Sequence, residues 1–148
     1  MDIEILRPHC HYRRLDNGIH EFAFLNNTRL AVDDFFSILE NSPMARGEAN
    51  PDIIRVLVEL REPGTPPVSY MMQRYREFIK VHKDRLPVIR TAYLYRTGFI
   101  LSMVRSFMRL IAMPKQSNRR FFPIAERAQA EAWLLEQEQP EISSVPLA

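Results

Sequence analysis

The sequence predicts an α/β domain with a single, mainly parallel sheet, an N-terminal antiparallel β-hairpin and helices on both faces. Two alternating runs near the N-terminus flank a short loop that contains glycine, which is typical of a hairpin. Three later apolar runs alternate with segments whose apolar residues recur at helical spacing. That alternation is typical of parallel strands joined by crossover helices. The predicted order of elements is ββαβαβαβα.

The hairpin is predicted at residues 4–15 and 19–25, with Gly18 in the loop because glycine adopts the left-handed conformation readily. A three-residue loop sets Arg13 opposite Glu21, which gives one opposite-charge pair. A two-residue loop would place Arg13 opposite an aromatic residue, so we expect the first register. The other expected pairs are Leu15 with Ile19, Tyr12 with Phe22 and Cys10 with Phe24.

The following elements alternate between helix and strand. A helix is predicted at residues 31–41, where apolar residues recur at i, i+3, i+4 and i+7. Residues 53–60 are nearly all apolar and often β-branched, as expected of a central strand covered on both faces. A second helix is predicted at 68–83, a strand at 88–95 and a third helix at 99–113.

The last strand and helix are predicted within residues 119–137, separated at Pro123, which cannot continue the strand pairing. We expect one domain over residues 1–140 and a flexible tail at 141–148, where no periodicity remains. Ala128, Ala132 and Leu135 recur at spacings of 4 and 3 beside Trp133, which predicts the last helix. We expect Trp133 and Leu134 to pack this helix onto the edge of the sheet.

Composition limits the classes of function. The chain has 148 residues and a net charge of +2, which is too small for an electrostatic nucleic-acid footprint. A single cysteine excludes an internal disulfide, and no secretory signal is apparent. The longest apolar region, 99–113, contains two arginines and is shorter than a membrane span. We therefore expect a cytoplasmic protein of bacterial type, without a transmembrane segment or a nucleic-acid partner.

Several motifs point to one family: HEFAFL before a helix that carries DDFF, the strands IIRVLVEL and PVIRTAYLY, and RRFF before AQAEAWLL. Over residues 19–136 this pattern resembles the SpoIIAA-like family, a relative of the STAS domains of bacterial anti-sigma-factor antagonists and anion transporters. The resemblance implies a small, non-enzymatic, often self-associating domain. The same fold is grouped with CRAL-TRIO lipid-binding domains, so an apolar ligand is an alternative implication.

The resemblance also implies a phosphorylatable serine where the central strand gives way to the next helix. In that loop, REPGTPPVSYM, the hydroxyls belong to Ser69 and Thr65, and the family's Asp-Ser-Gly type of signature is absent. Ser69 is therefore the candidate phosphoacceptor. The alternative is a serine that caps the helix or faces solvent.

Metal binding and catalysis are not expected. His9, Cys10, His11 and His20 are residue types that bind zinc, but strand alternation directs Cys10 away from its two histidine neighbours. No phosphate-cradling glycine loop or nucleophile elbow is present. We expect neither an enzyme nor a cofactor.

The predicted helix at 99–113 has more apolar surface than one sheet covers, because its polar residues form a single stripe. We expect an interaction or regulatory module, homodimeric through this surface, with a regulatory protein as a further partner. The alternatives are a carrier or sensor of an apolar, lipid-like ligand and peripheral membrane association through this helix. Candidate anion contacts are Arg105 and Arg109. Candidate interface or apolar-ligand residues are Met71, Met72, Tyr75, Phe99, Met103, Phe107, Met108 and Met113.

Overall fold

The computed structural model describes residues 4–41, 53–62, 67–82, 88–96 and 119–136. Within these ranges the chain forms one mixed sheet with helices, which confirms the α/β class. The strands are β1 (Glu4–Leu6), β2 (Cys10–Arg14), β3 (His20–Phe24), β4 (Ile53–Leu60), β5 (Val88–Tyr95) and β6 (Arg119–Pro123). The helices are α1 (Arg29–Glu40), α2 (Val68–His82) and α3 (Arg127–Leu135), with a 3-10 turn at Ile124–Glu126 before α3.

The six strands lie side by side in chain order. β1 pairs with β2 and β2 with β3 in antiparallel fashion, whereas β3, β4, β5 and β6 pair in parallel. No helix within the described residues is long and apolar enough to cross a membrane. The predicted helix at 99–113 and the predicted tail at 141–148 lie outside the described residues.

The first predicted strand is wrong in one respect, because residues 4–15 form two strands and not one. The chain turns between β1 and β2, where the Arg7 N–H donates to the Cys10 carbonyl at 3.1 Å. Pro8 lies in this turn, and a residue without an N–H cannot contribute a donor to a continuous strand pairing. The described chain therefore begins with three strands, where the sequence predicted two.

The hairpin of β2 and β3 has the predicted register, with Arg13 opposite Glu21. Gly18 adopts a positive φ of 90°, as expected for the loop. The loop is closed by the Leu15 N–H, which donates to the Ile19 carbonyl at 2.9 Å, and by the Asn17 side chain, which accepts from the Ile19 N–H at 3.2 Å. The remaining predicted pairs of Tyr12 with Phe22 and Cys10 with Phe24 are also confirmed.

Each face of the sheet has its own hydrophobic core. Helices α1 and α2 cover one face, where buried aromatic side chains of β3 meet Phe36 of α1 and Phe78 of α2. Thr28 caps the start of α1, since its side-chain oxygen accepts from the Ala31 N–H at 3.3 Å. Asp33 of α1 binds both Tyr70 and Arg74 of α2, which joins the two helices. This pair of helices forms the roof of the site described below.

Helix α3 covers the opposite face, with Leu134 fully buried and Trp133 packed against the same core, as predicted. Ala130 is fully buried as well, whereas Leu135 is 41% exposed and Ala128 and Ala132 are exposed. At the start of the helix the Arg127 guanidinium pairs with buried Glu21 on the sheet and with Glu131 one turn later. The buried contacts of α3 on the sheet are Leu57, Ala92, Leu94 and Phe122.

Candidate functional site

A cavity lined largely by apolar side chains lies between the α1–α2 pair and strands β3 to β6. Its volume is about 100 Å³. The roof comes from both helices and the floor from alternate residues of the strands, so the pocket is continuous with the larger hydrophobic core. A partly enclosed apolar cavity of this kind is the ordinary form of a small-molecule site.

The helical periodicity of α2 explains the roof. Met71, Tyr75 and Phe78 follow one another at i, i+4 and i+7, so they share one face of the helix and all line the pocket. Phe35 and Leu39 of α1 lie beside them, one turn apart. The same spacing that predicts two amphipathic helices therefore places an aromatic and thioether surface over the sheet.

The strands supply the floor because their side chains alternate between the two faces. Val56 and Val58 of β4 face the pocket, and Leu57 between them belongs to the core under α3. On β5 the alternation brings Thr91 and Tyr93 to the pocket face. The sheet is thus apolar at its centre and becomes polar toward β6.

A polar cluster forms one end of the pocket. Thr91 and Arg119 are partners in the parallel pairing of β5 with β6, which places both side chains on this face. The Arg119 guanidinium donates to the Tyr75 hydroxyl at 2.9 Å and lies 5.4 Å from the centre of the Tyr75 ring. Arg119 also forms a side-chain hydrogen bond with Tyr93. Burial raises the pKa of the Tyr93 phenol, so this contact is to a neutral hydroxyl at pH 7.

A second cavity, of about 260 Å³, lies on the opposite face and is lined by charged side chains. Its centre is Glu21, whose carboxylate pairs with Arg13 and with Arg127. Burial raises the pKa of Glu21, but the hydrogen bonds and charges of the two arginines outweigh burial and lower its pKa overall. Glu59 and Arg61 in the same cavity also pair with each other, at 2.9 Å. The Arg127–Glu21 pair joins α3 to the hairpin, so we assign the cluster a role in the fold.

The predicted interface residues of α2 face inward. Met71 is 9% exposed, and both Met71 and Tyr75 line the pocket. Met72 is half-buried and packs against the core under the helices. Ser69, the candidate phosphoacceptor, is exposed in the first turn of α2. The other predicted residues lie outside the described residues: Thr65, Phe99, Met103, Arg105, Phe107, Met108, Arg109 and Met113.

The cysteine and the histidines of the hairpin have specific partners or are buried. Cys10 is fully buried, and burial together with the charge of Asp34 raises the pKa of its thiol to about 12. The His20 Nδ1 lies 2.8 Å from the Tyr12 hydroxyl, and burial together with nearby Arg14 lowers the pKa of the ring to about 4. The described parts of the chain contain no group of three or more His, Cys, Asp or Glu that could hold a metal ion.

Sequence reasoning missed the polar end of the pocket. Arg119 was one of several basic residues near the C-terminus, and Thr91 and Tyr93 were part of a strand. A partial signal existed, because Thr91 and Arg119 are hydrophilic residues that alternate with neither the apolar run of β5 nor that of β6. The parallel register that brings them together could not be read from either strand alone.

Comparison of the chain with protein-family models, with curated proteins and with solved structures finds no match. The resemblance to the SpoIIAA-like family therefore stays a prediction.

Proposed function

We propose that this chain is a non-enzymatic binding domain that holds a small, largely apolar molecule in the pocket beneath α1 and α2, as a sensor or a carrier. The pocket itself is the observation that carries the proposal. Its volume is about 100 Å³, and its wall combines aromatic, aliphatic and thioether side chains with polar groups at one end. A mostly apolar site with a few converging polar groups is the pattern expected of a ligand pocket.

The size of the pocket supports a compact ligand. A cavity of roughly 150 Å³ lined by apolar side chains accommodates benzene. A pocket of about 100 Å³ that also opens to the outside accepts a group of similar size, such as one ring or a short branched chain. The long acyl chain of a membrane lipid does not fit into this volume.

The state of the reactive groups supports a binding role over a catalytic one. The Cys10 thiol is fully buried with a pKa near 12, so the nucleophilic thiolate is not formed at neutral pH. Glu21 is held ionised by two arginines, and Asp33 is engaged by Tyr70 and Arg74. None of these carboxylates lies in the pocket, where proton transfer to a ligand would take place.

A ligand in this position would contact both helices and four strands, so its binding would alter the packing of α1 and α2 on the sheet. That coupling suits the regulatory role implied by the SpoIIAA-like resemblance. A homodimeric partner or a regulatory protein would then respond to the liganded form. Met71 and Tyr75, predicted as interface residues, act in this proposal from inside the pocket.

The proposal is tested by calorimetric titration with 2-phenylethanol, a neutral probe that carries one ring. We expect saturable binding at one site per chain, because the ring replaces water at an apolar wall. In a Val58→Phe variant the added ring would fill the pocket and abolish binding. The matched control is Val81→Phe on α2, where the side chain is 70% exposed and remote from the pocket wall.

The control variant should bind the probe as the wild type does. Absence of binding to the wild type would contradict the proposal, as would unchanged binding to Val58→Phe. In the first case the pocket is filled by the chain's own residues or is too narrow for a ring.

A further inference from the structure

Thr91 is a buried polar residue in the wall of the pocket. It is 8% exposed and lines the pocket, where most of the surrounding side chains are apolar. The other polar side chains of this wall are joined by hydrogen bonds, in which Arg119 donates to Tyr75 and to Tyr93. Within the described residues the Thr91 hydroxyl has no hydrogen-bond partner. A buried hydroxyl of this kind is uncommon in folded proteins and calls for a physical explanation.

The strand pairing explains why the hydroxyl has no partner. Thr91 lies between Val56 of β4 and Arg119 of β6 in the parallel register. A valine side chain has no hydrogen-bonding group, and a guanidinium has donors but no acceptor. The Arg119 guanidinium is also engaged by the Tyr75 hydroxyl, to which it donates at 2.9 Å. Neither neighbouring side chain therefore supplies an acceptor for the Thr91 O–H.

Alternation along β5 directs this side chain to the pocket. Ile89, Thr91 and Tyr93 all line the pocket, whereas Ala92 between the last two belongs to the core under α3. Thr91 thus lies where the apolar wall meets the polar end of the site. A molecule whose apolar group fills the pocket would bring an attached polar group to this hydroxyl.

From this arrangement we propose that the ligand is an alcohol or a carbonyl compound, whose oxygen accepts a hydrogen bond from the Thr91 hydroxyl while its apolar group fills the pocket. The inference rests on the proposed function and adds the chemical class of the ligand and the residue that recognises it. A hydrogen bond beside an apolar wall is stronger than one in water. A hydrocarbon of the same size leaves the buried hydroxyl unpaired, which costs binding free energy.

The test compares 2-phenylethanol with propylbenzene, in which a methyl group replaces the hydroxyl, by calorimetric titration of the full chain. The informative variant is Thr91→Val, because valine is also β-branched and lacks only the hydroxyl group. We expect the affinity for the alcohol relative to the hydrocarbon to fall about tenfold in this variant, through the loss of one buried hydrogen bond. The change in this ratio between proteins is independent of how strongly water solvates each probe.

The matched control is Thr91→Ser, which keeps the hydroxyl and should keep the wild-type ratio of affinities. Urea unfolding without ligand gives a second, independent readout. Thr91→Val should be at least as stable as the wild type, because it removes a hydroxyl without a partner from a buried position. A hydroxyl that served only the fold would produce a loss of stability instead.

Two results would overturn the inference and leave the proposed function intact. One is a ratio of affinities that is the same in Thr91→Val as in the wild type, or that falls equally in Thr91→Ser. The other is a Thr91→Val variant that is less stable than the wild type or does not fold, since the hydroxyl would then serve the fold. Binding of neither probe would instead refute the proposed function, and the inference about the ligand would fall with it.

Discussion

Individual side chains of the hairpin owe their chemistry to the register of β2 and β3. The register places Tyr12 and His20 on the face covered by α1, where the Tyr12 hydroxyl lies 2.8 Å from the His20 Nδ1. It places Arg13 and Glu21 on the other face, where they form an ion pair. A shift by one residue would exchange these environments. The three-residue loop at Gly18 therefore determines which side chains lie under α1 and which lie on the other face.

The first prediction concerns pH and His20. Its pKa is about 4 in the folded chain and about 6.5 in an unfolded one. The unfolded state therefore binds more protons between these values, and the free energy of unfolding should fall as the pH drops from about 6.5 to 4. We expect a loss of about 1 kcal/mol between about pH 7 and pH 5, after allowance for partial solvent screening.

Urea unfolding of the wild type and of His20→Gln at both pH values measures this effect. The variant should lose much less stability over the same interval. Glu21 does not blur the result, because a carboxylate with a lowered pKa loses its contribution only below about 4.5. Equal losses in the two proteins would show that His20 is not the titrating group.

The second prediction concerns the reactivity of Cys10. Its side chain is fully buried and the pKa of its thiol is about 12, so the folded protein should not react with an aromatic disulfide reagent at pH 8. Labelling should occur only through unfolding, and its rate should rise with added urea in parallel with the unfolding rate. Rapid labelling without denaturant would refute the placement of this side chain.

Among the elements, α3 shows that a helix buried through its apolar face is also held by polar contacts at both ends. The buried face contains Ala130 and Leu134, whereas Ala128 and Ala132 are exposed. At the start of the helix Arg127 pairs with Glu21 on the sheet. Near its end the Arg55 side chain donates to the Leu134 carbonyl at 2.6 Å. Both contacts join residues that lie far apart in the chain.

The third prediction compares two adjacent leucines of α3. Leu134 is fully buried over the sheet, and Leu135 is 41% exposed. Leu134→Ala should lower the free energy of unfolding by about 2 to 5 kcal/mol through lost burial and cavity formation. Leu135→Ala should change it by only about 0.5 kcal/mol. Chemical denaturation measures both values, and a larger loss for Leu135→Ala would contradict the burial of Leu134.

The same contrast shows what the sequence could predict. Strong periodicities predicted α1, α2, β4 and β5, because each of them buries a pattern that lies within its own residues. The hairpin register was predictable since its loop length and its cross-strand pairs agree. The turn at Pro8 was not predicted, because apolar spacing alone does not show where a strand is interrupted.

At the scale of the whole molecule, the sheet divides two cores that differ in packing. The core under α3 contains fully buried side chains such as Ala92 and Leu94. The face under α1 and α2 contains the pocket. The sequence predicted Met71 and Tyr75 as an apolar surface, but the polar end of the site could not be predicted. It forms only when β5 and β6 pair across a long stretch of chain.

The fourth prediction uses this asymmetry. Val58→Phe places a larger side chain toward the pocket, so the free energy of unfolding should change by at most about 1 kcal/mol. Ala92→Phe places a comparable ring under α3, and overpacking there should cost about 3 kcal/mol. Thermal and urea unfolding of the two variants give the comparison. A similar loss in both would mean that the two faces are equally filled.

The central claim is that the pocket binds a compact apolar group, and the most direct measurement follows the methionine methyl resonances of α2 during titration with 2-phenylethanol. Met71 lines the pocket, whereas its neighbour Met72 does not. The account predicts a saturable shift of the Met71 methyl that exceeds the shift of Met72 and disappears in Val58→Phe. A Met71 methyl that does not shift, or that shifts equally in Val58→Phe, would contradict it.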